Sequence, residues 1–396
     1  MVGTGPVFLE TAWIMSDLSI TMEALQQSCS QLPVSSYFDP ALFELEQALI
    51  FDAAPRYLGH ELMVAEPGDF HTLAQEGEGR ALIRKAPGPD GVQLVSNVCR
   101  HRQAIMLRGR GNTGERVVCP LHRWTYDLGG ELIGAPHFKH DPCLNLRKAP
   151  LRRWNGLLFE DSGRDVAHEL AELGPRAELD FSGYVFDRAV SHRCAYNWKT
   201  FIEVYLEDYH VGPFHPGLGN FVTCEDLRWE MGLNHSVQTV GVAASGGKAL
   251  GRPGSAVYER WHQQVLAFEQ GRPIRHGAIW LTLYPHIMVE WYPNVLVVST
   301  LHPVGPQETI NQVEFYYPEE IALFERDYVE AQQGAYLETC EEDDELALRM
   351  DAGRKALMRR GENEVGPYQS PMEDGMQHFH EWYRRSINPE GRSAAV

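Results

Sequence analysis

Two groups of potential metal ligands stand in this chain, and their order suggests one chemistry. Cys99-Arg100-His101 is followed, after seventeen residues, by Cys119-Pro120-Leu121-His122. About eighty residues further on comes Glu203-x3-Glu207-x2-His210-x4-His215. The first group offers two thiolates and two imidazoles, each pair closely spaced as at a turn. That donor set suits a [2Fe–2S] cluster in which two histidines replace two cysteines on one iron, which raises its reduction potential. Structural zinc sites usually place two cysteines ahead of two histidines, or use four cysteines, whereas the order here is Cys, His, Cys, His. In the second group, two histidines with one acid make the facial triad of non-heme Fe(II), which leaves positions open for oxygen. One centre would store electrons and the other would spend them, as in an oxygenase. The rival from another class is an electron carrier with an inert second pattern, but a carrier needs no open-coordinate metal.

The second pattern predicts its own local structure. On a continuous helix, Glu203, Glu207 and His210 fall at i, i+4 and i+7 and share a face. His215 would be offset from His210 by about 140°, and Gly212-Pro213 is expected to break the helix so that His215 turns back to the same metal. The triad's carboxylate need not be Glu207. An acidic run further on, Glu341-Glu342-Asp343-Asp344-Glu345, by itself suits a solvated helix start, where carboxylates favour the dipole.

Around these groups the texture of the chain changes twice. Residues 21–50 read as helical, with Pro33 dividing two pieces. From Leu58 to about Glu160, short β-like runs (Ala81–Arg84, Val92–Val95, Arg116–Cys119, Gly156–Phe159) alternate with turn signals at Pro87-Gly88 and Gly129-Gly130. Asp161 to Pro175 is charged and contains Gly and Pro, as a linker would. Beyond it, strands over 277–283, 287–291 and 295–302 mix with helical stretches near 196–210 and 318–360, an α+β pattern. The expected division is a helical segment at 1–45 packing on the catalytic domain, a small all-β domain at 46–160 and an α+β catalytic domain at 161–396.

Composition narrows the partners. The chain has 396 residues, 43% of them hydrophobic, enough for two cores. Its net charge of −19, from 35 basic and 54 acidic residues, argues against nucleic acid or an anionic membrane surface as a partner. No apolar run approaches the ~20 residues of a membrane helix. Pro6–Met15 is apolar, but no Lys or Arg precedes Arg56, so it lacks the basic start of a signal peptide. Met15 could equally be the start, with 1–14 an extension. Seven cysteines, of which Cys29, Cys143, Cys194, Cys224 and Cys340 are scattered, do not form a disulfide framework, which points to a reducing, cytoplasmic setting.

The run from Asn97-Val98-Cys99-Arg100-His101-Arg102 to Cys119-Pro120-Leu121-His122-Arg123-Trp124 resembles the Rieske domain of the ring-hydroxylating oxygenase α subunits. Two departures are Gln103 and Arg123, where glycine is common in relatives. Asn197-Trp198-Lys199 through Tyr209-His210 is similar to the iron-binding segment of the same family, and Glu341–Glu345 leading into Asp351-Ala352-Gly353 resembles its later ligand helix. The resemblance implies a [2Fe–2S] cluster on Cys99, His101, Cys119 and His122. It implies mononuclear Fe(II) on His210, His215 and Asp343, with Asp344 as the alternative acid. Glu207 would bridge the iron histidine to a cluster histidine of the neighbouring subunit. Glutamate at 207, where most relatives have aspartate, and the tail from Gly366 through His378-Phe379-His380 resemble the choline, carnitine and glycine-betaine monooxygenase branch. His378 and His380 themselves read as structural.

The expected fold is therefore α+β: an all-β Rieske domain and a catalytic domain with a helix-grip-like sheet. The expected assembly is a homotrimer fed by an NAD(P)H-dependent reductase, possibly through a ferredoxin. The expected reaction is O2-dependent hydroxylation or dioxygenation of a small organic, aromatic substrate. The alternative is monooxygenation of a quaternary ammonium compound with C–N cleavage, for which Trp280, Tyr284, Trp291 and Tyr292 could form a cation–π cage.

Overall fold

A computed structural model of the protein describes residues 18–28, 30–161, 163–243 and 254–388. The apolar N-terminal stretch with its second candidate start at Met15, and Cys29, lie outside the described residues.

Residues 56–160 form short antiparallel strands in three small sheets. Arg80–Arg84, Val92–Ser96, Arg116–Val118 and Leu157–Glu160 are strands, within a residue or two of the β-like runs. At both predicted turns a glycine takes a positive φ, 88° at Gly88 and 81° at Gly130, a conformation that costs a residue with a Cβ.

The second half is built on one seven-stranded antiparallel sheet. Its strands are β1 (Tyr184–Cys194), β2 (Val222–Met231), β3 (His235–Val242), β4 (Ala278–Leu283), β5 (Ile287–Tyr292), β6 (Val295–Gly305) and β7 (Glu308–Pro318), in the order β1-β7-β6-β5-β4-β3-β2. Side chains alternate across a strand, and both faces here are covered. Ile279, Leu281, Val289, Leu296 and Val298 point to one side and pack on Tyr57, Leu157 and Phe159 of the β module. Ala278, Trp280, Tyr292, Val295 and Val297 point to the other, toward two helices. Those helices are α3 (Ala256–Glu269) and the 34-residue α4 (Arg326–Arg359). The short helices α1 (Trp198–Tyr205) and α2 (Val211–Phe214) and the final α5 (Asp374–Ile387) complete the elements that position the site.

The N-terminal segment packs on α1 and α5: Leu25, Leu32, Leu42 and Ile50 share a core with Trp198, Ile202 and Phe379. Buried Glu46 is hydrogen-bonded by Trp198 Nε1 at 2.8 Å and by Lys199 Nζ and Tyr383 OH. The stretch expected as a linker is not a free tether. Val166, Leu170 and Leu173 are buried beneath the sheet; their i, i+4, i+7 spacing supplies an apolar face that the charged composition hides.

Candidate metal centres and substrate cavity

The two ligand loops of the β module are built alike. Cys99 N–H donates to Ala104 O and Cys119 N–H to Trp124 O, each at 2.8 Å. Each loop closes a second time, Gln103 N–H on Cys99 O at 3.0 Å and Arg123 N–H on Cys119 O at 3.2 Å. To make this closure the residue four after each cysteine takes a positive φ, 54° at Gln103 and 60° at Arg123. The two positions at which the family resemblance leads us to expect glycine are thus the two where the loop demands a left-handed backbone. Neither side chain is a ligand, so the substitution adds strain without touching the donor set.

Both cysteines are buried and unpaired, and the rings of His101 and His122 lie 4.6 Å apart. His101 stacks on Trp124 at 5.0 Å, and its Nδ1 is buried with no hydrogen-bond partner among the described residues. Burial pushes the Cys119 thiol up, against the backbone N–H groups of Leu121 and His122 directed at it. Two buried thiols, an orphaned imidazole nitrogen and amides aimed at sulfur fit a histidine-ligated [2Fe–2S] cluster.

The second group departs from its expected helix. Helix α1 ends at Tyr205, so Glu207 and His210 do not continue its face. Glu203 points elsewhere, into a buried knot with Tyr37 OH, Arg354 Nη2 at 2.6 Å and His380 Nε2 at 2.8 Å. That knot fixes α1 against α4 and α5 and gives His380 a structural place. The break also comes earlier than Gly212-Pro213: those residues lie inside α2, where a proline in the first turn costs no hydrogen bond. His210 and His215 flank this one-turn helix as its N- and C-caps, which brings their Nε2 atoms to 3.0 Å from each other.

Three consecutive acids of α4 then reach three different partners, because residues on a helix are about 100° apart. Glu342 Oε2 takes His215 Nδ1 at 2.7 Å. Asp343 Oδ1 lies 3.0 Å from His215 Nε2 and 3.4 Å from His210 Nε2. Asp344 turns away to His192 Nε2 and Tyr196 OH, each at 2.6 Å. The run lies mid-helix, not at a helix start. The remaining nitrogen, His210 Nδ1, is held by Glu207 Oε1, whose other oxygen accepts the His210 backbone N–H at 3.1 Å. With each Nδ1 taken by a carboxylate, two Nε2 atoms and Asp343 Oδ1 converge on one point, as the facial donor set of a mononuclear iron requires. Glu342, the orienting acid on His215, was missed from sequence as an individual residue; its adjacency to a ligand on the same helix was the available signal.

Two small cavities of about 60 Å3 each meet at this point. One lies over His210 and His215; the other runs between β5 and α4 toward Glu290; Tyr205, Tyr292, Thr339 and Asp343 line both. Of the four aromatics expected to form a cage, Trp280 and Tyr292 line these cavities. Tyr284 instead hydrogen-bonds Ser236 and packs near α5, and Trp291 faces the opposite side of the sheet beside His276. Tyr258 and Trp261 of α3 and Tyr336 of α4 take part in their place. The i, i+3 pair on α3 and the i, i+7 relation of Tyr336 to Asp343 could have revealed them.

The family model of the ring-hydroxylating α subunit catalytic domain matches residues 181–388, and that of the Rieske [2Fe–2S] domain matches 57–150. The chain belongs to the ring-hydroxylating α-subunit family. It is a Rieske-type terminal oxygenase, an oxidoreductase with a Rieske [2Fe–2S] cluster and a mononuclear iron. Such subunits use O2, a small-molecule substrate and electrons from a reductase. The chain is 65% identical to putrescine 2-hydroxylase of Ralstonia nicotianae over 94% of its own length and 100% of the relative's. It is 58% identical to putrescine 2-hydroxylase of Bordetella bronchiseptica, over 96% and 89% respectively. The quaternary ammonium Rieske monooxygenase CntA, solved with L-carnitine, superposes with a TM-score of 0.68 over 93% of this chain and 99% of that one, at 19% identity. The oxygenase reading of the two ligand patterns and the α+β architecture agree with these matches; a simple electron carrier does not. No helix among the described residues is long and apolar enough to cross a membrane.

Proposed function

We propose that this oxygenase hydroxylates a short aliphatic diamine, putrescine or a close analogue, at a carbon and without C–N cleavage. The observation that carries the reading is the convergence of His210 Nε2, His215 Nε2 and Asp343 Oδ1 beside a narrow cavity, in a chain 65% identical over its length to a putrescine 2-hydroxylase. A linear diamine suits two small cavities that share four lining residues better than a fused aromatic ring does.

In this reading Cys99, His101, Cys119 and His122 hold the cluster, and His210, His215 and Asp343 hold the iron. Together these groups supply electron storage and reductive activation of O2. The protein contributes orientation. Glu342 and Glu207 fix which nitrogen of each imidazole faces the metal, and Tyr205, Trp280 and Tyr292 wall the cavity beside those nitrogens. Glu207 has the further role of connecting His210 to a cluster histidine of a neighbouring copy, in a cytoplasmic homotrimer served by an NAD(P)H-dependent reductase or a ferredoxin. Domain limits near residues 45 and 160 suit this division of labour.

Oxygen uptake with a surrogate reductase, with products identified by mass spectrometry after incubation in 18O2, tests the substrate. Hydroxylated 1,4-diaminobutane carrying one 18O is expected. Turnover of carnitine, choline or an aromatic acid, with none of the diamine, would replace this reading.

The charge of the iron site leads to a prediction of sign. Burial disfavours a charged imidazole at His210, but Asp343 and Glu207 outweigh it and raise the group to about 10 without metal. His215 is raised against the same burial by Asp343 and Glu342. At pH 7 a proton therefore stands where the metal binds, and iron must displace it. Ferrous iron added to chelator-stripped protein in weak buffer should release on the order of one proton per site, and apparent affinity should fall as pH drops. Binding without proton release, independent of pH from 6 to 8, would contradict this electrostatic picture.

A further inference from the structure

Strand β5 is buried along almost its whole length and apolar except at one position, Glu290. Alternation along the strand turns Glu290 and Tyr292 toward the helices, away from the β module on which Val289 packs. Glu290 is 2% exposed. Its Oε2 accepts the hydroxyl of Tyr292 at 2.9 Å and its Oε1 that of Tyr336 at 3.0 Å. Tyr292 is itself fixed by Trp280 Nε1 at 2.9 Å. A carboxylate has about four acceptor sites, so two phenols leave roughly half of them open toward the cavity.

Among the described residues no Lys, Arg or His forms an ion pair with this group. The buried acids Glu46 and Glu203 are paired with Lys199 and Arg354 respectively. The residues lining the cavity at Glu290 include no Lys, Arg or His, and their second acid, Asp343, faces the iron histidines. Leaving a buried carboxylate uncompensated is costly, and the burial raises Glu290 to about 7. A similar arrangement exists at Glu314, which takes the hydroxyls of Tyr57 and Tyr316 at 2.7 Å each. Glu314 faces the opposite side of the sheet and lines neither cavity, so it reads as a closed structural knot. Glu290 differs in having space beside it. The walls of that space, Tyr205, Tyr258, Trp261 and Tyr336, are aromatic faces suited to a cation and to methylene groups. The Tyr205 hydroxyl is buried with no hydrogen-bond partner among the described residues and lines both cavities.

We infer that Glu290 is the specificity-determining seat for one ammonium group of the substrate, with Tyr292 and Tyr336 orienting its carboxylate. The inference rests on the diamine reading above and adds the residue that enforces it. An ammonium placed there supplies the missing countercharge and directs its carbon chain along the shared walls toward His210, His215 and Asp343. Tyr205 stands between the two cavities and offers its hydroxyl to a polar group of the same molecule.

The test is steady-state kinetics with 1,4-diaminobutane on the fully loaded oxygenase and Glu290→Gln. The change keeps shape and removes charge, so KM should rise on the order of 100-fold, while kcat, iron content and the cluster spectrum stay near wild type. Glu290→Asp should recover part of the affinity. Tyr336→Phe, which removes one orienting hydroxyl and keeps the cavity, should raise KM about fivefold, and it decides the matter if Glu290→Gln does not fold. An unchanged KM in Glu290→Gln, or a lowered kcat at constant KM, overturns the assignment. The two readings fail separately: a wild-type enzyme inert toward every diamine removes the substrate class. Normal wild-type turnover with an unaffected Glu290→Gln removes only this seat.

Discussion

Glu207→Gln should keep both metal centres and lose most product. The carboxylate holds His210 through Nδ1 and the backbone N–H, and glutamine retains the size and an acceptor oxygen while removing the charge. Carboxylates behind metal-bound histidines typically contribute 10–100-fold to activity or affinity. If Glu207 also carries the connection between copies, the whole of that loss falls on electron delivery. Product should drop roughly 100-fold, with cluster reduction and iron content near normal. In a single turnover of pre-reduced protein, the mutant cluster should stay reduced after diamine and O2 are added. Glu207→Asp should be partly active, because charge is kept and reach falls by one methylene. Rapid, stoichiometric cluster oxidation with normal yield in Glu207→Gln would mean that Glu207 is no bridge.

A second large effect separates two neighbouring acids. Asp343→Ala removes one of three converging donors, so it should strip the mononuclear iron and lower turnover by more than about 100-fold, the upper range for outer carboxylates. The cluster should remain unbleached. Asp344→Ala removes hydrogen bonds to His192 and Tyr196 and should instead lower stability by about 1–3 kcal/mol, with iron retained. Metal analysis and thermal unfolding of the two variants read the contrast directly. Iron lost in Asp344→Ala and kept in Asp343→Ala would exchange their roles.

Residues close in sequence carried most of what was legible in advance. The Cys-x-His and Cys-x2-His pairs each lie within a single turn, and the two turns close alike, so close spacing was enough to bring the proposed cluster ligands to notice. The convergence of His210, His215 and Asp343 was legible in the two histidines and in the acidic run, but not in the path between them. The i, i+4, i+7 pattern of Glu203, Glu207 and His210 suggested one helix face, yet the chain leaves the helix after Tyr205. Glu203 is captured by Arg354 and His380, more than 150 residues away in sequence. Periodicity cannot see such long-range pairing, and tertiary contacts overrode it. Glu290 shows the same limit from the other side. In sequence it is one acid in an apolar run; its setting appears only when α4 brings Tyr336 onto it and leaves a cavity beside the pair.

Iron and acid-labile sulfide should be counted on one purified sample, alongside the EPR spectrum of the reduced protein. About three irons and two sulfides per chain are expected, with the signature of a histidine-ligated cluster. The third iron should be removable by chelator, and diamine hydroxylation should disappear and return with it. Zinc without labile sulfide at Cys99–His122, or full hydroxylation by protein holding two irons, would contradict the two-centre reading.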